Sequence, residues 1–324
     1  MVSTGSTTWV WRRRVSAFVS RALAVLRTPA VRWAFLVGAV VLAVVAVAGS
    51  WGELVEAAQQ MPGGHLAGAA VVGIAYVGAT FLSWRAVLAD LGSPLPLRPA
   101  VAVFGISQLG KYVPGGVWNV VAAAEIGADH KVPRARSLAA MALAVLLGVV
   151  SGVVVAAVCL PVAGADGLGS WSWLAWAAPL LLVLLVPPVL GRLVGLGYRL
   201  LRRPSLERPL TWSGLGAAVA WSVLGWVLAG VHVWLLATGL GLDATPRTLA
   251  LMVGGYAVAW VAGFVVVLVP AGAGVREAVL LTLLAGSLPH AAVLLVVLLA
   301  RVLLTVVDLL FAAAGALVRP ARSR

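Results

Sequence analysis

Long uninterrupted apolar runs dominate the chain, and they have the length that a membrane-spanning helix needs. About 20 apolar residues in helical conformation cross the hydrocarbon core of a bilayer. The runs are separated by short segments that contain charged residues, glycine and proline. The pattern therefore predicts membrane-spanning helices at 33–51, 66–88, 136–162, 172–191, 211–238 and 289–318.

Two further apolar segments are interrupted by proline and glycine. The break in 99–124 is VPGG at 113–116, and the break in 248–287 is VPAG at 269–272. Proline removes a backbone donor and ends a helix. Broken helix is tolerated at membrane depth only where protein or a water-filled cavity satisfies its polar groups. We therefore predict two discontinuous helices within a helical bundle.

Composition restricts the chain to the class of membrane proteins. Hydrophobic residues make up 62% of the 324 residues and charged residues only 10%, against about 45–50% and 25% in soluble domains. A chain of this size cannot bury so much apolar surface by packing alone, because small domains leave much of their area in water. Soluble enzyme folds are excluded. The predicted fold class is an all-α, polytopic transmembrane helical bundle.

The distribution of positive charge orients the predicted helices. Lys and Arg number 23 against 10 Asp and Glu, which gives a net charge of +13. Cytoplasmic loops of membrane proteins carry an excess of Lys and Arg. The basic segments, which we place in the cytoplasm, are 1–32, 85–98, 127–136, 192–208 and 319–324. The acid-leaning or balanced segments, which we place outside, are 52–65, 163–171 and 239–247.

This orientation makes both interrupted segments re-entrant. Segment 99–124 has both ends in the cytoplasm, and 248–287 has both ends outside if 289–318 returns the chain to a cytoplasmic tail. The prediction is six crossing helices plus two broken segments that enter from opposite faces. An alternative stays open, because 248–269 is long enough to span alone. The predicted regions are a basic arm (1–32), a transmembrane domain (33–318) and a tail (319–324).

Charged and polar residues beside the two breaks form the candidate binding site. A charge at the bilayer centre costs at least about 2.5–3.5 kcal/mol, so intramembrane charges tend to be paired or functional. A half-helix that begins at a break directs its free N–H groups and positive dipole end towards it, which suits an anion such as phosphate. The candidate lipid- or phosphate-binding residues are Lys111, Tyr112, Pro114, Gly115, Gly116, Trp118, Asn119, Glu125, Pro270, Gly272, Gly274, Arg276 and Glu277.

A structural interpretation of the same residues stays open. Pro-Gly breaks also form simple kinks, and Lys111 and Arg276 would then extend towards the headgroups or pair with Glu125 or Glu277. Two breaks on opposite-facing segments, each with a basic residue beside it, favour the functional interpretation.

Other chemistry-bearing residues add one further candidate pair. Arg301 and Asp308 lie seven residues apart in an apolar run and share one helix face, as a structural ion pair with another helix or as a substrate contact. His232 is typical of a hydrogen-bonded histidine inside a bundle, and Cys159 of a small core residue. No metal-ligand spacing occurs, so we expect neither a metal nor a cofactor.

Sequence motifs for catalysis are absent. The chain has no Gly-x-Ser-x-Gly, no complete phosphate-loop lysine motif, no His-Glu-x-x-His and no dinucleotide fingerprint. It also lacks the soluble basic face or recognition motif of a nucleic-acid-binding protein. We expect a protein that is not an enzyme and does not bind nucleic acid.

The residues around both breaks resemble a known family. QLGKYVPGGVW at 108–118 resembles the first signature of the lysylphosphatidylglycerol synthase transmembrane family, also called flippase-like. PAGAGVRE at 270–277 resembles the second signature, usually Pro-Gly-Gly-x-Gly-x-Arg-Glu, with Ala271 in place of the first glycine. The resemblance extends over 33–318, nearly the whole predicted membrane part.

The resemblance implies a helical bundle with re-entrant hairpins that moves lipid. In full-length members this domain moves an aminoacylated phospholipid between leaflets, and a cytoplasmic domain makes that lipid. Aminoacyl transfer is not carried over, because the chain ends at Arg324 without such a domain. The expected ligand is an anionic or aminoacylated phospholipid or a polyprenyl-phosphate-linked lipid.

Three other functions remain open at this point, one of them an uptake or export transporter for a small anion. The chain would be a non-catalytic partner or scaffold for a separate synthase or transferase of lipids or envelope polysaccharide, with 1–32 and 192–208 as docking surfaces. An intramembrane transferase acting on a lipid-linked substrate is a further alternative. The residue usage suggests a bacterial plasma membrane as the location, with both termini in the cytoplasm.

Overall fold

All the regular elements in the described part of the chain are helices. The computed structural model describes residues 51–113, 118–164, 180–200, 210–265, 272 and 274–318. The α-helices in these ranges are α1 (Trp51–Gln60), α2 (Gly63–Asp90), α3 (Leu97–Gln108), α4 (Trp118–Asp129), α5 (Arg134–Val162), α6 (Pro187–Leu200), α7 (Trp212–Gly239), α8 (Pro246–Val265), α9 (Val275–Leu284) and α10 (His290–Val318). Short 3-10 turns occupy Leu109–Tyr112 and Val183–Leu185.

Five of the described helices are long and apolar enough to cross a membrane: α2, α5, α7, α8 and α10. Four of them confirm the predicted spans at 66–88, 136–162, 211–238 and 289–318, with boundaries close to the predicted ones. The all-α, polytopic helical bundle is therefore confirmed. The fifth, α8, is the first arm of the second interrupted segment.

The predicted span at 172–191 is not a continuous helix in its described part. A 3-10 turn at Val183–Leu185 and a bend at Val186 precede α6. Pro187 and Pro188 explain the interruption, because neither has a backbone N–H for the preceding turn and both fit the first turn of a new helix.

The N-terminal predictions are tested only from residue 51 onwards. Residues 52–60, predicted as a loop, belong to α1. The predicted span at 33–51 lies outside the described residues except for Trp51, where α1 begins. The arm 1–32, residues 165–179 and the tail 319–324 also lie outside them.

One end of the bundle carries the basic residues of 85–98 and of the first turn of α5. The Asp90 carboxylate, at the end of α2, accepts hydrogen bonds from the backbone N–H (2.9 Å) and the hydroxyl (2.6 Å) of Thr211, just before α7. The Arg136 guanidinium, in the first turn of α5, donates to the Gly92 carbonyl between α2 and α3 (3.0 Å). The basic residues of 85–98 and of the start of α5 therefore share one face, which we call the basic face.

The opposite face carries the weakly charged connections. Gly239, at the end of α7, lies against His65 near the start of α2. Gly164, just after α5, lies against the Arg247 guanidinium at the start of α8. Residues 164 and 210 flank the predicted span at 172–191. They lie at opposite ends of the bundle, as a membrane crossing between them requires.

Helices α3 and α4 form a re-entrant hairpin from the basic face. Each has 12 residues and is about 18 Å long, too short for a hydrocarbon core of about 30 Å. They pack on each other, and Gly110 at the tip lies against the backbone of Trp118 and Asn119. A side chain at position 110 would block this approach.

Helices α8 and α9 form the second hairpin, which enters from the opposite face. Gly255 in α8 lies against Leu283 in α9, and Gly263 lies against Arg276, so the two helices are antiparallel. The arms are unequal: α8 has 20 residues and α9 has 10, about 30 and 15 Å. By its length α8 could span the core. The break predicted at Pro270 lies outside the described residues.

Two hydrophobic cores hold the two hairpins. The core near the basic face contains Trp84, Phe104 and Leu147 and packs around the first hairpin. The core near the opposite face contains Tyr256 and Leu284 and packs around the second. Because each core surrounds a different hairpin, the space between the two hairpin tips is left for a cavity.

Candidate functional site

A cavity of about 410 Å³ lies between the tips of the two hairpins. Thr80 in α2, Ser222 in α7 and Leu304 in α10 contribute to its walls. Each lies in the central part of a helix of 28 or 29 residues, so the cavity lies near mid-depth. This is where transporters with discontinuous helices bind their substrates.

The cavity collects the charges that lie within the apolar segments. Its lining residues include three cations and two carboxylates, which are Lys111, Arg276, Arg301, Glu277 and Asp308. No other charged residue occurs in the predicted spans or interrupted segments away from their ends. Residues from both breaks and from α10 therefore meet in one place, although they are far apart in sequence.

Lys111 at the tip of the first hairpin pairs with Asp308 in α10. The Lys111 Nζ lies 2.6 Å from the Asp308 Oδ2, and the Tyr112 hydroxyl donates to the same oxygen at 2.6 Å. The Asp308 side chain is only 3% exposed, whereas that of Lys111 is 33% exposed. The carboxylate thus attaches the hairpin tip to α10, and the Lys111 side chain lines the cavity and stays partly exposed.

Glu277 and Arg301 form the second ion pair of the cavity. The Arg301 Nη1 lies 3.6 Å from the Glu277 Oε1. The other carboxylate oxygen of Glu277 accepts a hydrogen bond from the Gly274 backbone N–H at 2.6 Å. Glu277 thereby satisfies one of the free donors at the start of α9 that were predicted to bind an anion.

Arg276 is the one cation of the cavity without a carboxylate partner among the described residues. Its guanidinium lies over the Trp260 ring, 5.2 Å from the ring centre. Its Nε is buried and has no hydrogen-bond partner in the described part of the chain. Gly263 and Gly272, the latter with φ of +67°, leave room for this side chain, because a Cβ at either position would meet it.

An aromatic wall surrounds Arg276. Trp260 contacts Trp226 edge-to-face at 5.4 Å and stacks on Phe264 at 5.5 Å. Tyr256 contacts Tyr76 edge-to-face at 6.2 Å. Such ring contacts restrict side-chain rotation, so the guanidinium has a fixed support on one side and the cavity on the other.

Most of the predicted site residues that are described line the cavity. Those are Lys111, Tyr112, Asn119, Gly272, Arg276, Glu277, Arg301 and Asp308. Gly274 lies beside it as the N-cap of α9. Pro114, Gly115, Gly116 and Pro270 lie outside the described residues.

The structure places two of the predicted residues elsewhere. Glu125 forms two hydrogen bonds with Arg134, at 2.9 and 3.0 Å, on the basic face, and its side chain is 59% exposed. These hydrogen bonds lower the pKa of the Glu125 carboxyl. The predicted pairing of Glu125 with Lys111 is wrong, because α4 carries Glu125 away from the tip to the far end of the hairpin. Trp118 is exposed and does not line the cavity.

Trp260 was not predicted as a site residue. Asp308 was predicted in an ion pair with another helix, but Lys111 was not identified as its partner. Trp260 belongs to none of the motifs. An aromatic residue in an apolar run is most often lipid-facing or part of the core, so nothing in the sequence singled it out. The opposite charges of Lys111 and Asp308 inside separate apolar segments were a usable signal, because each needs a partner in a bundle.

The remaining residues singled out in the sequence have structural contacts. His232 is buried, and its Nδ1 lies 2.8 Å from the Ala69 carbonyl. Cys159 is half-buried and lies against Gly254. Within the described ranges, no group of three or more His, Cys, Asp or Glu could hold a metal ion.

Comparison with known proteins agrees with the geometry. No curated protein matches the chain. The family model for the lysylphosphatidylglycerol synthase TM region matches residues 31–312. This match covers most of the chain, including α2, α5, α7, most of α10, both hairpins and the five charges of the cavity. The chain therefore belongs to the lysylphosphatidylglycerol synthase transmembrane family and is a lipid-related, multi-pass membrane protein.

Proposed function

We propose that the chain binds the phosphate-bearing headgroup of a lipid in the central cavity and moves that lipid between leaflets. The candidate ligands are an anionic or aminoacylated phospholipid and a polyprenyl-phosphate-linked lipid. The observation that carries the proposal is the convergence of the intramembrane charges on one mid-depth cavity with an excess of cations.

The arrangement of cations supports phosphate as the bound group. Arg276 presents a planar fork of donors that suits phosphate oxygens, and it has no competing carboxylate among the described residues. Lys111 is a second, partly accessible cation at the opposite hairpin tip. A phosphate between the two tips would contact both hairpins at once.

The two hairpins also offer a route for the headgroup. One tip is reached from the basic face and the other from the opposite face, so the cavity between the two tips would receive a headgroup from either side. The acyl chains would remain in the lipid while the polar headgroup passes through the cavity. The headgroup would then avoid most of the cost of entering hydrocarbon.

The same proposal includes the orientation of the chain in the membrane and the enzyme that supplies its lipid. The basic face would be cytoplasmic in a bacterial plasma membrane, with both termini on that side, in keeping with the positive-inside rule. The chain would act without a catalytic step and without a cofactor, and a separate synthase or transferase would supply its lipid.

Filling the cavity is expected to stop lipid movement. Ala144 in α5 lines the cavity, so Ala144→Trp would place an indole inside it. Ala142, two residues earlier, is exposed and does not line the cavity, so Ala142→Trp is the matched control. The measurement is the rate at which a fluorescent phosphatidylglycerol crosses the bilayer of proteoliposomes.

The proposal predicts a fast rate for the wild type and for Ala142→Trp. A rate close to that of protein-free vesicles is expected for Ala144→Trp. Equal rates for both tryptophan variants, at equal amounts of folded protein, would rule out the cavity as the route.

A further inference from the structure

We infer that the headgroup bound in this cavity carries a single negative charge, as a phosphodiester does. Dianionic phosphomonoesters and aminoacylated lipids with a net positive charge are expected to bind less well. This inference rests on the proposed function, which requires that a lipid headgroup enters the cavity. It narrows the three candidate lipid classes to lipids whose headgroup is a phosphodiester with one negative charge.

The two ion pairs of the cavity leave no net charge. Lys111 and Asp308 lie at 2.6 Å, and Arg301 and Glu277 lie at 3.6 Å. The first pair sums to zero whether the proton lies on the lysine or on the aspartic acid. Neither pair therefore attracts an ion of either sign by net charge.

Arg276 adds one positive charge to this neutral set. A guanidinium does not lose its proton in proteins, so the charge is permanent. The residues around both hairpin tips that lie outside the described ranges, 114–117, 266–271 and 273, contain no charged residue in the sequence. The charged groups at the two tips therefore sum to plus one.

A phosphodiester headgroup carries the single negative charge that balances the positive charge of this cavity. An uncompensated charge near the bilayer centre is energetically costly, and one phosphodiester anion compensates Arg276 completely. A phosphomonoester dianion would leave one negative charge in excess. A lysyl ester of a phosphodiester lipid adds two ammonium groups and would leave two positive charges in excess.

Two lipid types supply this chemistry, namely phosphatidylglycerol and a monosaccharide joined to a polyprenyl chain by one phosphate. Both present a diester with one negative charge and hydroxyl groups beyond it. Asn119 and Gln108 line the cavity near Lys111 and offer amide groups to such hydroxyls. The two lipid types carry the same headgroup charge, so the experiment contains both.

The test compares binding of short-chain lipids to the purified full-length chain in detergent. The dihexanoyl probes are phosphatidylglycerol, phosphatidic acid, phosphatidylcholine and lysylphosphatidylglycerol, together with a short polyprenyl phosphate monosaccharide. We expect at least one of the two diester monoanions to bind about tenfold or more tightly than phosphatidic acid, phosphatidylcholine and the lysyl ester, since each of these three leaves an uncompensated charge in the cavity.

A charge-shifted variant makes the test specific. Glu277→Gln removes one negative charge and brings the sum at the tips to plus two, so the preference is expected to move from the diester monoanion towards phosphatidic acid. Glu125→Gln is the matched control, because Glu125 lies on the basic face outside the cavity. The control is expected to keep the wild-type order.

The outcomes separate this inference from the proposed function. Binding of the lysyl ester or of phosphatidic acid at least as tight as that of both monoanions would overturn the inference and leave lipid binding intact. An unchanged order in a folded Glu277→Gln protein would overturn it as well. No binding of any of the five probes to the wild type would overturn the proposed function and this inference with it.

Discussion

Replacing Arg276 by glutamine is expected to slow lipid movement in proteoliposomes by about tenfold or more. The variant removes the cation that has no carboxylate partner among the described residues, and a charge-assisted contact to a headgroup phosphate contributes about 1.5–3 kcal/mol. Glutamine is shorter but keeps the Cγ that lies against Gly263 and Gly272 and ends in a polar group. Movement of a fluorescent phosphatidylglycerol measures the effect.

A lysine at the same position separates charge from geometry. Arg276→Lys keeps the positive charge but loses the planar fork and much of the stacking on Trp260, and the two side chains are not equivalent at such a site. We expect a rate between those of the wild type and Arg276→Gln. Arg134→Gln, on the basic face, serves as the control. A wild-type rate for Arg276→Gln would contradict the assignment.

Asp308→Asn is expected to lower the free energy of unfolding by about 3 kcal/mol. Removing one partner of a buried ion pair typically costs about 3–5 kcal/mol, and the lower end applies because Lys111 is partly exposed to the cavity. The amide keeps an oxygen that still accepts the hydrogen bond of Tyr112. Unfolding by sodium dodecyl sulfate in mixed micelles measures the change.

A double-mutant cycle tests whether the loss comes from the pair. Lys111→Met combined with Asp308→Asn removes both charges and leaves neither one uncompensated. The double variant is therefore expected to be more stable than Asp308→Asn alone. Effects of the two substitutions that simply add would show that Lys111 and Asp308 do not hold the hairpin tip to α10.

The spanning helices could be predicted because the bilayer imposes a simple rule of length and apolarity. The four runs at 66–88, 136–162, 211–238 and 289–318 obey it without an internal break. The run at 172–191 satisfies the apolarity criterion but contains Pro187 and Pro188, whose missing donors interrupt the helix. A criterion based on apolarity alone does not detect such an interruption.

The re-entrant hairpins were predictable from charge parity rather than from helix propensity. The basic residues on both sides of 99–124 require both its ends on one face, and α3 and α4 turn back as that requires. The N-terminal half of the second segment is long enough to span, so its length alone left two solutions. The contacts of Gly255 and Gly263 with α9 distinguish them, and such contacts are not visible in the sequence.

Which charged residues belong to the site could be predicted better than which of them form ion pairs. A charge in an apolar run indicates that a partner exists, which identified Lys111, Arg276 and Asp308 as candidates. Which helices are neighbours depends on packing between distant parts of the chain. The sequence therefore suggested Glu125 as the partner of Lys111, but the geometry of the hairpin carries Glu125 to the basic face.

The central claim is that two hairpins enter from opposite faces and meet at one charged cavity. Its most direct test is side-specific labelling of single cysteines with a membrane-impermeant maleimide, in a chain whose Cys159 is replaced by serine. Cysteines at the exposed positions Pro94 and Arg134 flank the first hairpin, and those at Asp243 and Ser287 flank the second. We expect positions 94 and 134 to react from one side of the membrane and positions 243 and 287 from the other. Labelling of positions 94 and 134 from different sides, or of 243 and 287 from different sides, would contradict the account.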